Sequence, residues 1–334
     1  VHAIEAGALD ELPGDLRKYV GWRQLEASLA EILKGTRRVA MQYSPGNAVP
    51  YISRVDAGTV ELVRSCGPEV VSSADLVQTF EAVLDDTQEA SHFAAAVVLP
   101  ELMFEAFDQV ARAVKDGKPK SEHEIQQFIM RRFEDHGMVT DHPPIVAVDA
   151  HAGDPHYEVP ADGSAPIREG SFLLMDVWAK KKEARSIYAD ITWTGYVGTE
   201  VPEEHRRIFD IVRNARVAAQ DFVIEAFAAG RAIRGCEVDD VCRQVVIDAG
   251  YAEYFLHRTG HNIGEEVHGD GANVDNLETR DERRLLPRTC FSIEPGIYLD
   301  SFGVRSEVDM YVHADGRAEV TGRQQDTVVP ILSL

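Results

Sequence analysis

The stretch of sequence that decides the fold is residues 257–268, which read HRTGHNIGEEVH. It places three histidines, His257, His261 and His268, within twelve positions. Imidazole is the commonest metal ligand in proteins, but a single histidine is more often an ordinary core or surface residue. Three histidines in one glycine-containing segment indicate a functional site, and their roles depend on the residues around them.

The composition bounds the class of protein. The chain has 334 residues, of which 44% are hydrophobic and 27% charged, as in ordinary globular proteins. Lys and Arg number 34 against 56 Asp and Glu, a formal net charge of −22. This negative charge argues against nucleic acid or an anionic membrane as a partner. It also supplies many carboxylates, which are ligands for divalent cations.

The cysteine pattern favours a reducing compartment. The four cysteines show no CxxC pair and no dense framework, so we expect free thiols and a cytoplasmic protein. No apolar run approaches membrane-spanning length, and we expect no membrane partner. The chain starts at Val1 and not at Met, which leaves a native N-terminal segment unaccounted for.

Residues 1–88 are predicted to form a small α/β domain. The apolar spacing over 14–34 predicts an amphipathic helix, and 39–43 predicts a strand. Residues 59–63 alternate apolar and polar side chains and predict a second strand, and a helical stretch follows from residue 72. No cluster of catalytic residue types lies in this domain.

Residues 89–334 are predicted to form the larger domain, with an internal duplication. A long helix over 92–116 precedes a shorter helix that ends at Gly137, and the glycines at 117 and 137 recur with the same spacing at 230 and 250. Two unrelated amphipathic helix pairs could also align this well. Paired helices with hairpin-like strand runs favour an α+β fold with a mixed or antiparallel sheet. The predicted strands cover residues 144–148, 171–179, 188–197, 267 onward, 290–299 and 304–312.

Acidic residues interrupt four of these strand-like segments. Asp176 follows FLLM, Asp190 lies in IYADITW, Glu294 follows CFSI, and Glu307 lies in GVRSEV. A buried carboxylate is unfavourable unless it is paired or binds a metal. One such residue would be an ordinary salt bridge, but four of them together with the histidines predict a site for more than one cation.

Two other metal motifs are excluded by the residues present. The spacing of His257 and His261 matches HxxxH, but no glutamate follows the first histidine and Gly260 disfavours a helix, so a zinc-protease helix does not fit. The acidic run after His268 lacks the EF-hand spacing, since Asp275 stands where the sixth-position glycine is needed.

Taken together, these motifs resemble the pita-bread metallopeptidases, the group of Xaa-Pro dipeptidases (prolidases), aminopeptidase P and creatinase. The resemblance covers about 92–334 and implies a curved, mainly antiparallel sheet covered by helices in two related halves, preceded by a shortened N-terminal domain. The motifs that carry it are Asp176, Asp190-Ile191-Thr192, His257-x-x-Thr259-Gly260-His261-x-Ile263-Gly264, His268, Glu294-Pro295-Gly296-Ile297-Tyr298 and Arg305-x-Glu307.

The resemblance implies two divalent metal ions per subunit. Mn²⁺ is the first expectation, with Co²⁺, Zn²⁺ or Fe²⁺ as alternatives, because the ligands are carboxylates and imidazole without thiolate. Two such ions would hold a bridging hydroxide that attacks the scissile carbonyl. The implied ligands are Asp176, Asp190, His261, Glu294 and Glu307.

The resemblance also implies roles beside the metals. Glu294 would accept a proton as well as bind metal, and His257 and His268 would orient the substrate and stabilise the tetrahedral intermediate. The substrate contacts would be His156, Arg305 and Arg280, where a guanidinium would bind the substrate carboxylate. For Arg280, a solvated basic loop is the open alternative, because other arginines are nearby in the sequence.

This sequence departs from the family pattern around the first aspartate pair. Asp176 and Asp190 are separated by a longer hairpin than usual, Trp178 stands in place of the usual glycine, and Trp193 in place of the usual arginine. An even separation keeps both aspartates on one face of a hairpin unless a bulge or the turn shifts the register. We therefore keep both as ligands and expect a difference in substrate specificity.

The predicted function is hydrolysis of the Xaa-Pro bond of dipeptides. Aminopeptidase P activity on longer peptides is the nearest alternative. Creatinase chemistry is disfavoured because that branch lacks the metal ligands retained here, and a non-catalytic binding module on this fold should have lost ligands. A homodimer is expected from the family and from base rates.

Overall fold

The computed structural model describes residues 1–334 and divides the chain into two compact units, Val1–Val77 and Gln78–Leu334. The predicted domain boundary at residue 88 lies further along the chain, within the fourth helix. The seven α-helices are α1 (Trp22–Ile32), α2 (Ala57–Ser65), α3 (Ala74–Glu81), α4 (Asp86–Lys115), α5 (Glu122–Asp135), α6 (Glu203–Ala228) and α7 (Gly235–Asp248).

Thirteen β-strands accompany these helices, most of them short. In chain order they are β1 (Arg38–Met41), β2 (Glu69–Ser72), β3 (Met138–Val139), β4 (Ile145–Val148), β5 (Phe172–Lys181), β6 (Ala189–Tyr196), β7 (Asn262–Ile263), β8 (Cys290–Ile293), β9 (Gly296–Tyr298), β10 (Gly303–Arg305), β11 (Val308–Val312), β12 (Ala318–Val320) and β13 (Val329–Pro330).

The first unit has a parallel pair of strands, β1 and β2, with α2 between them in the chain. The prediction of a strand over 59–63 is wrong, because these residues lie inside α2. Asp56 caps this helix by accepting a hydrogen bond from the Thr59 backbone, and Val60 and Val63 are buried on one side of it. The predicted helix over 14–34 is shorter in the structure, where α1 begins at Trp22.

The second unit contains two helix pairs with matching boundaries. Helix α7 begins and ends 113 residues after α5 (235 − 122 and 248 − 135). The glycines at 117, 137, 230 and 250 follow the four helices α4 to α7, and all have φ between 64° and 84°. This left-handed conformation ends helices and favours glycine. The equivalent helix ends agree with the duplication predicted from the glycine spacing.

Each helix pair accompanies one sheet. The first half holds a sheet in the order β13-β6-β5-β3, in which β4 also pairs with β5, and the second half holds a sheet in the order β12-β11-β8-β7. All pairings in these sheets are antiparallel except β13 with β6. Helix α4 packs on β5 and β6, and α6 packs near β8, β10 and β12. The mainly antiparallel α+β arrangement is the predicted one, but no strand begins at Val267, where one was predicted.

Helix α4 is the one helix long and apolar enough to cross a membrane, by length and composition. Half of its most apolar window is buried within the protein, which is the pattern of a core helix. Its buried side chains include Leu99, Met103 and Phe107, which belong to the same hydrophobic cluster as Met175 and Trp193 of the sheet. Its apolar character is therefore accounted for by packing on β5 and β6.

Candidate metal centre and active-site cavity

The first two candidate ligands lie on neighbouring strands of one sheet face. Asp176 is on β5 opposite Thr192 of β6, and Asp190 is on β6 opposite Trp178 of β5. Directly opposed residues share a face, as do residues two apart on one strand. The regular register therefore places the two aspartates on the same face of the sheet. The longer hairpin between them does not shift this register, as predicted from their even separation.

The second half of the duplicated fold supplies the other three candidates. Glu294 follows β8, Glu307 lies between β10 and β11, and His261 precedes β7. The His261 backbone amide donates to Ser292 Oγ at 3.0 Å. A side chain at Gly260 would lie 2.0 Å from the Ser292 carbonyl oxygen, so only glycine allows this loop to approach β8 so closely.

These side chains meet between the two halves. His261 Nε2 lies 3.3 Å from Glu294 Oε1 and 3.7 Å from Asp190 Oδ2. Ligand atoms of Asp190, His261 and Glu307 all lie within 4.8 Å of one another. Asp176 lines the same cavity as these four residues. The structure thus brings together all five residues predicted as ligands.

The chemistry of this donor set fits divalent cations. Asp176 Oδ1, Asp190 Oδ1 and Glu307 Oε1 are buried and accept no hydrogen bond. Burial and the neighbouring carboxylates raise the pKa of Asp190 and of Glu307 well above their usual values, and burial raises that of Glu294 to about 7. Several buried acids with unpartnered oxygens are unfavourable without positive charge, and bound cations would supply it.

The orientation of His261 suits metal binding through Nε2. Its Nδ1 lies 3.2 Å from the Asn262 carbonyl oxygen, which can only accept, so Nδ1 carries the proton. The Nε2 lone pair then points towards Asp190 and Glu294. Burial, and next His268, lower the pKa of His261 well below its usual value, which keeps the ring neutral as a ligand must be.

Arg305 was expected to contact substrate, but its guanidinium is occupied by the protein. It donates to Asp176 Oδ2 at 2.5 Å, to Thr192 Oγ1 at 3.0 Å and to the Tyr298 hydroxyl at 3.0 Å. Thr192 in turn donates to Glu307 Oε2 at 2.6 Å. Arg305 therefore fixes the orientation of two candidate ligands, one directly and one through Thr192.

His257 is also engaged on both ring nitrogens. Its Nδ1 lies 2.7 Å from the Arg258 carbonyl oxygen and must donate to it, so Nε2 accepts from the Tyr298 hydroxyl at 2.6 Å. Burial and the nearby Arg305 lower the pKa of His257 to about 3, so the ring is neutral. Its place beside Tyr298 puts it on the cavity wall, with the Tyr298 hydroxyl as its polar contact.

The buried Asp239 holds the histidine-containing loop in place. Its carboxylate accepts hydrogen bonds from the Thr259 backbone at 3.0 Å and from the Thr259 hydroxyl at 2.5 Å, and it pairs with Arg243. Arg243 donates to the His257 carbonyl oxygen at 2.8 Å. Helix α7 thereby fixes the backbone on both sides of Arg258.

The candidate ligands line a cavity of about 320 Å³, within the range of small-molecule sites. His156, His257, His268 and Arg305 also line it. Burial, and next Arg258, lower the pKa of His268. Arg280 does not line the cavity: its side chain is 63% exposed, and its Nε lies 3.5 Å from Glu282 Oε1. The structure therefore does not place Arg280 among the residues that line the cavity.

Sequence reasoning missed several residues that shape the site. Arg258 lies in the stretch 257–268, and no role was predicted for it. Its side chain lines the cavity and makes no ion pair. Asp309 accepts a hydrogen bond from the Asp190 backbone at 2.8 Å. Its position two residues after Glu307, in the alternating pattern of a strand, was the signal in the sequence that could have found it. Asp141 also lines the cavity, but nothing in its local sequence distinguishes it from a loop aspartate.

Comparison with solved structures identifies the class of fold. The chain aligns with dipeptidase PepE from Mycobacterium ulcerans at a TM-score of 0.65 and 23% identity, covering 98% of this chain and 82% of that one. It aligns with the X-Pro aminopeptidase from Thermotoga maritima at a TM-score of 0.64 and 21% identity, covering 98% and 86%. The fold is that of the pita-bread enzymes, and the α+β prediction is confirmed.

The family follows from the sequence match. Residues 100–314 match the model of metallopeptidase family M24, and the chain belongs to this family. The chain is 33% identical over 196 residues to the Xaa-Pro dipeptidase of Lactobacillus delbrueckii subsp. lactis, an alignment that covers 58% of this chain and 49% of that one. It is 30% identical over 161 residues to the Xaa-Pro dipeptidase of Pyrococcus furiosus, covering 48% and 42%. The chain spans about half the length of the curated relatives it matches.

Proposed function

We propose that this protein is a metal-dependent dipeptidase that hydrolyses the Xaa-Pro bond. The observation that carries the proposal is the cluster formed by Asp190, His261, Glu294 and Glu307 with Asp176 beside them, in a chain of metallopeptidase family M24. Proteins named Xaa-Pro dipeptidase are among its relatives, which supports this substrate class.

In this proposal the five residues hold two divalent ions, Mn²⁺ before Co²⁺, Zn²⁺ or Fe²⁺. Asp190, His261 and Glu307, whose ligand atoms all lie within 4.8 Å of one another, would hold the ions together with Asp176 and Glu294. The bound ions would supply a nucleophilic water near neutral pH and polarise the scissile carbonyl. The unpartnered carboxylate oxygens and the absence of thiolate in the cluster support this hard-ligand site.

The residues of the chain would then move a proton and position the substrate. Glu294 lines the cavity with its Oε1 3.3 Å from His261 Nε2, and would accept a proton and return it to the leaving group. His268 and His156 line the cavity and are available to hydrogen-bond the substrate. His257, through the Tyr298 hydroxyl, would fix the wall against which the substrate lies.

Arg258 replaces Arg280 as our candidate for binding the substrate carboxylate. It lines the cavity without an ion pair, and Glu278 holds its backbone amide at 2.8 Å. A guanidinium binds a carboxylate with two parallel hydrogen bonds, which favours a free C-terminus at the second residue. This assignment favours dipeptides over the longer peptides that an aminopeptidase P cleaves.

The test is an assay of metal-stripped and metal-restored protein. We expect Mn²⁺ to restore hydrolysis, with Xaa-Pro cleaved faster than Xaa-Pro-Yaa. Faster cleavage of the tripeptide would favour the aminopeptidase alternative, and no metal-dependent hydrolysis of either would exclude both.

We also propose a homodimer that acts in the cytoplasm on small peptides. Four free cysteines, two of them buried, are compatible with a reducing compartment. Light scattering after size-exclusion chromatography tests the assembly, and a mass equal to one chain would contradict it.

A further inference from the structure

The cavity has an anionic and aromatic corner beside the candidate ligands. The Trp178 indole Nε1 donates to Asp141 Oδ1 at 2.8 Å, and both residues line the cavity. Trp178 is two residues beyond Asp176 on β5 and lies opposite Asp190 on β6. Trp178 is therefore next to two ligands, on the sheet face that carries them, and Asp141 is its hydrogen-bond partner.

Asp141 keeps its negative charge in this corner. Partial burial would raise its pKa, but hydrogen bonds from Trp178 and from His142 outweigh this effect and the pKa is lowered. Oδ1 also accepts from the His142 backbone at 3.0 Å, and His142 Nδ1 lies 3.2 Å from Oδ2. A carboxylate has about four acceptor positions, so Oδ2 can still bind another donor.

Lys180 does not neutralise this charge. Lys180 follows Trp178 on the same face of β5, but its ammonium group donates to the Glu265 carbonyl oxygen and lies 4.8 Å from the centre of the Tyr188 ring. The Asp141 side chain is 35% exposed and remains accessible from the cavity.

Apolar side chains complete the corner. Ile145 and Val267 line the same cavity, and Ile145 pairs with Asp176 across β4 and β5. Arg305 donates hydrogen bonds to Asp176, to the Tyr298 hydroxyl and to the Pro155 carbonyl oxygen, in a separate network. Asp141 with these apolar neighbours thus offers a site for an apolar stem with a cationic end, distinct from the Arg305 network.

We propose that Trp178 and Asp141 form the subsite for the side chain of the N-terminal residue, and that this subsite favours lysine or arginine there. This inference rests on the proposed dipeptidase function. The aliphatic stem of the substrate side chain would lie against Ile145, Val267 and the indole, with its charged end at Asp141 Oδ2. Asp141 and Trp178 are then specificity residues and have no part in bond cleavage.

The test compares kcat/KM for Lys-Pro and Leu-Pro in the Mn²⁺-loaded enzyme and in its Asp141→Asn variant. Asparagine keeps an oxygen for the Trp178 hydrogen bond and removes the charge. We expect the wild type to prefer Lys-Pro, and the variant to lose about fivefold or more of that preference, the effect of a partly exposed ion pair. Raising the salt concentration should also reduce the wild-type preference for Lys-Pro, because salt screens the charge of Asp141.

The matched control is Asp162→Asn, which removes one exposed negative charge outside the cavity. It should leave the Lys-Pro to Leu-Pro ratio unchanged, which separates local recognition from the long-range effect of the net charge. Trp178→Phe, which keeps an aromatic ring but not the indole donor, should lower the ratio in part.

The outcomes separate this inference from the function on which it rests. Hydrolysis of both dipeptides with the same ratio in wild type and Asp141→Asn would overturn the subsite and leave the dipeptidase function intact. An equal loss for both substrates would also overturn it, because that is the effect of a general positioning role. Metal-loaded wild type that cleaves no Xaa-Pro dipeptide would overturn the proposed function and the subsite together.

Discussion

Arg305 on β10 donates a 2.5 Å hydrogen bond to Oδ2 of Asp176 on β5, and so connects the two halves of the duplicated fold at the candidate metal centre. Both side chains are largely buried, so the interaction is shielded from solvent. A carboxylate of the protein is therefore a partner of this guanidinium.

We predict that Arg305→Lys lowers both metal affinity and activity. Lysine cannot donate to Asp176, Thr192 and Tyr298 from one planar group. Loss of a charge-assisted hydrogen bond of about 2 kcal/mol corresponds to roughly a 30-fold fall in kcat/KM. Isothermal titration with Mn²⁺ should show weaker binding, and the exposed Arg168→Lys is the control. Unchanged metal affinity in Arg305→Lys would show that Arg305 does not position Asp176.

We predict that Arg258→Gln raises KM for Xaa-Pro dipeptides more than it lowers kcat. The lost guanidinium–carboxylate contact acts on binding, and about 2 kcal/mol corresponds to roughly a 30-fold increase. The comparison is Arg280→Gln, because Arg280 carries the same charge but lies outside the cavity. Equal losses in the two variants, or a loss confined to Arg280→Gln, would contradict the assignment.

We predict that Asp239→Asn destabilises the protein by roughly 3 kcal/mol, because it leaves the Arg243 guanidinium without its ionic partner in a largely buried position. It should also weaken metal binding, since Thr259 and the loop up to His261 lose their anchor. Chemical denaturation measures the first effect. The neighbouring Asp240→Asn, at an exposed position, is the matched control, and similar destabilisation in both variants would contradict the anchoring role.

The pH dependence of the metal-free protein should reflect the crowded carboxylates. Burial raises the pKa of Asp190 and Glu307 well above their usual values, and that of Glu294 to about 7, so the folded state holds protons that the unfolded chain has released. These groups make stability fall as pH rises. Burial also lowers the pKa of five histidines below the usual 6.5, which has the opposite sign and ends at about pH 7.5. They are His92, His205, His257, His261 and His268.

We therefore predict that metal-free protein loses stability between about pH 7.5 and about pH 8.5, where the unfolded histidines have released their protons and the raised carboxylate pKa values outweigh them. Bound Mn²⁺ should remove this loss, because metal binding favours deprotonated ligands and strengthens as pH rises. Thermal unfolding of both forms measures it, and Glu307→Gln should reduce the loss in metal-free protein. A rise in stability of the metal-free wild type over this interval would contradict the account.

The candidate site was largely predictable from sequence because its residues break local patterns. Asp176 and Asp190 interrupt apolar strands, and Gly260 precedes His261 where the loop passes close to β8. Each departure is unfavourable unless a function compensates for it. The roles of these residues came from the family resemblance, whereas the structure shows their proximity.

The errors arose where local pattern does not decide the structure. Residues 59–63 alternate like a strand, yet Val60 and Val63 are also spaced for one face of a helix, and the Asp56 cap favours the helix. The distance in sequence from Glu294 could not show whether Arg258 or Arg280 lines the cavity. The fold of the loop between these two arginines decides it. The contact of Trp178 with Asp141 joins residues distant in sequence and needed the folded chain.

The most direct measurement of the central claim is the metal content of the protein. Metal-free wild type titrated with Mn²⁺ should bind about two equivalents per chain, as a two-metal site requires. The double variant Asp190→Asn with Glu307→Gln should bind neither ion tightly, while the exposed pair Asp162→Asn with Glu169→Gln should bind as the wild type does. No tightly bound Mn²⁺ in the wild type, or unchanged binding in the Asp190 and Glu307 double variant, would contradict the account.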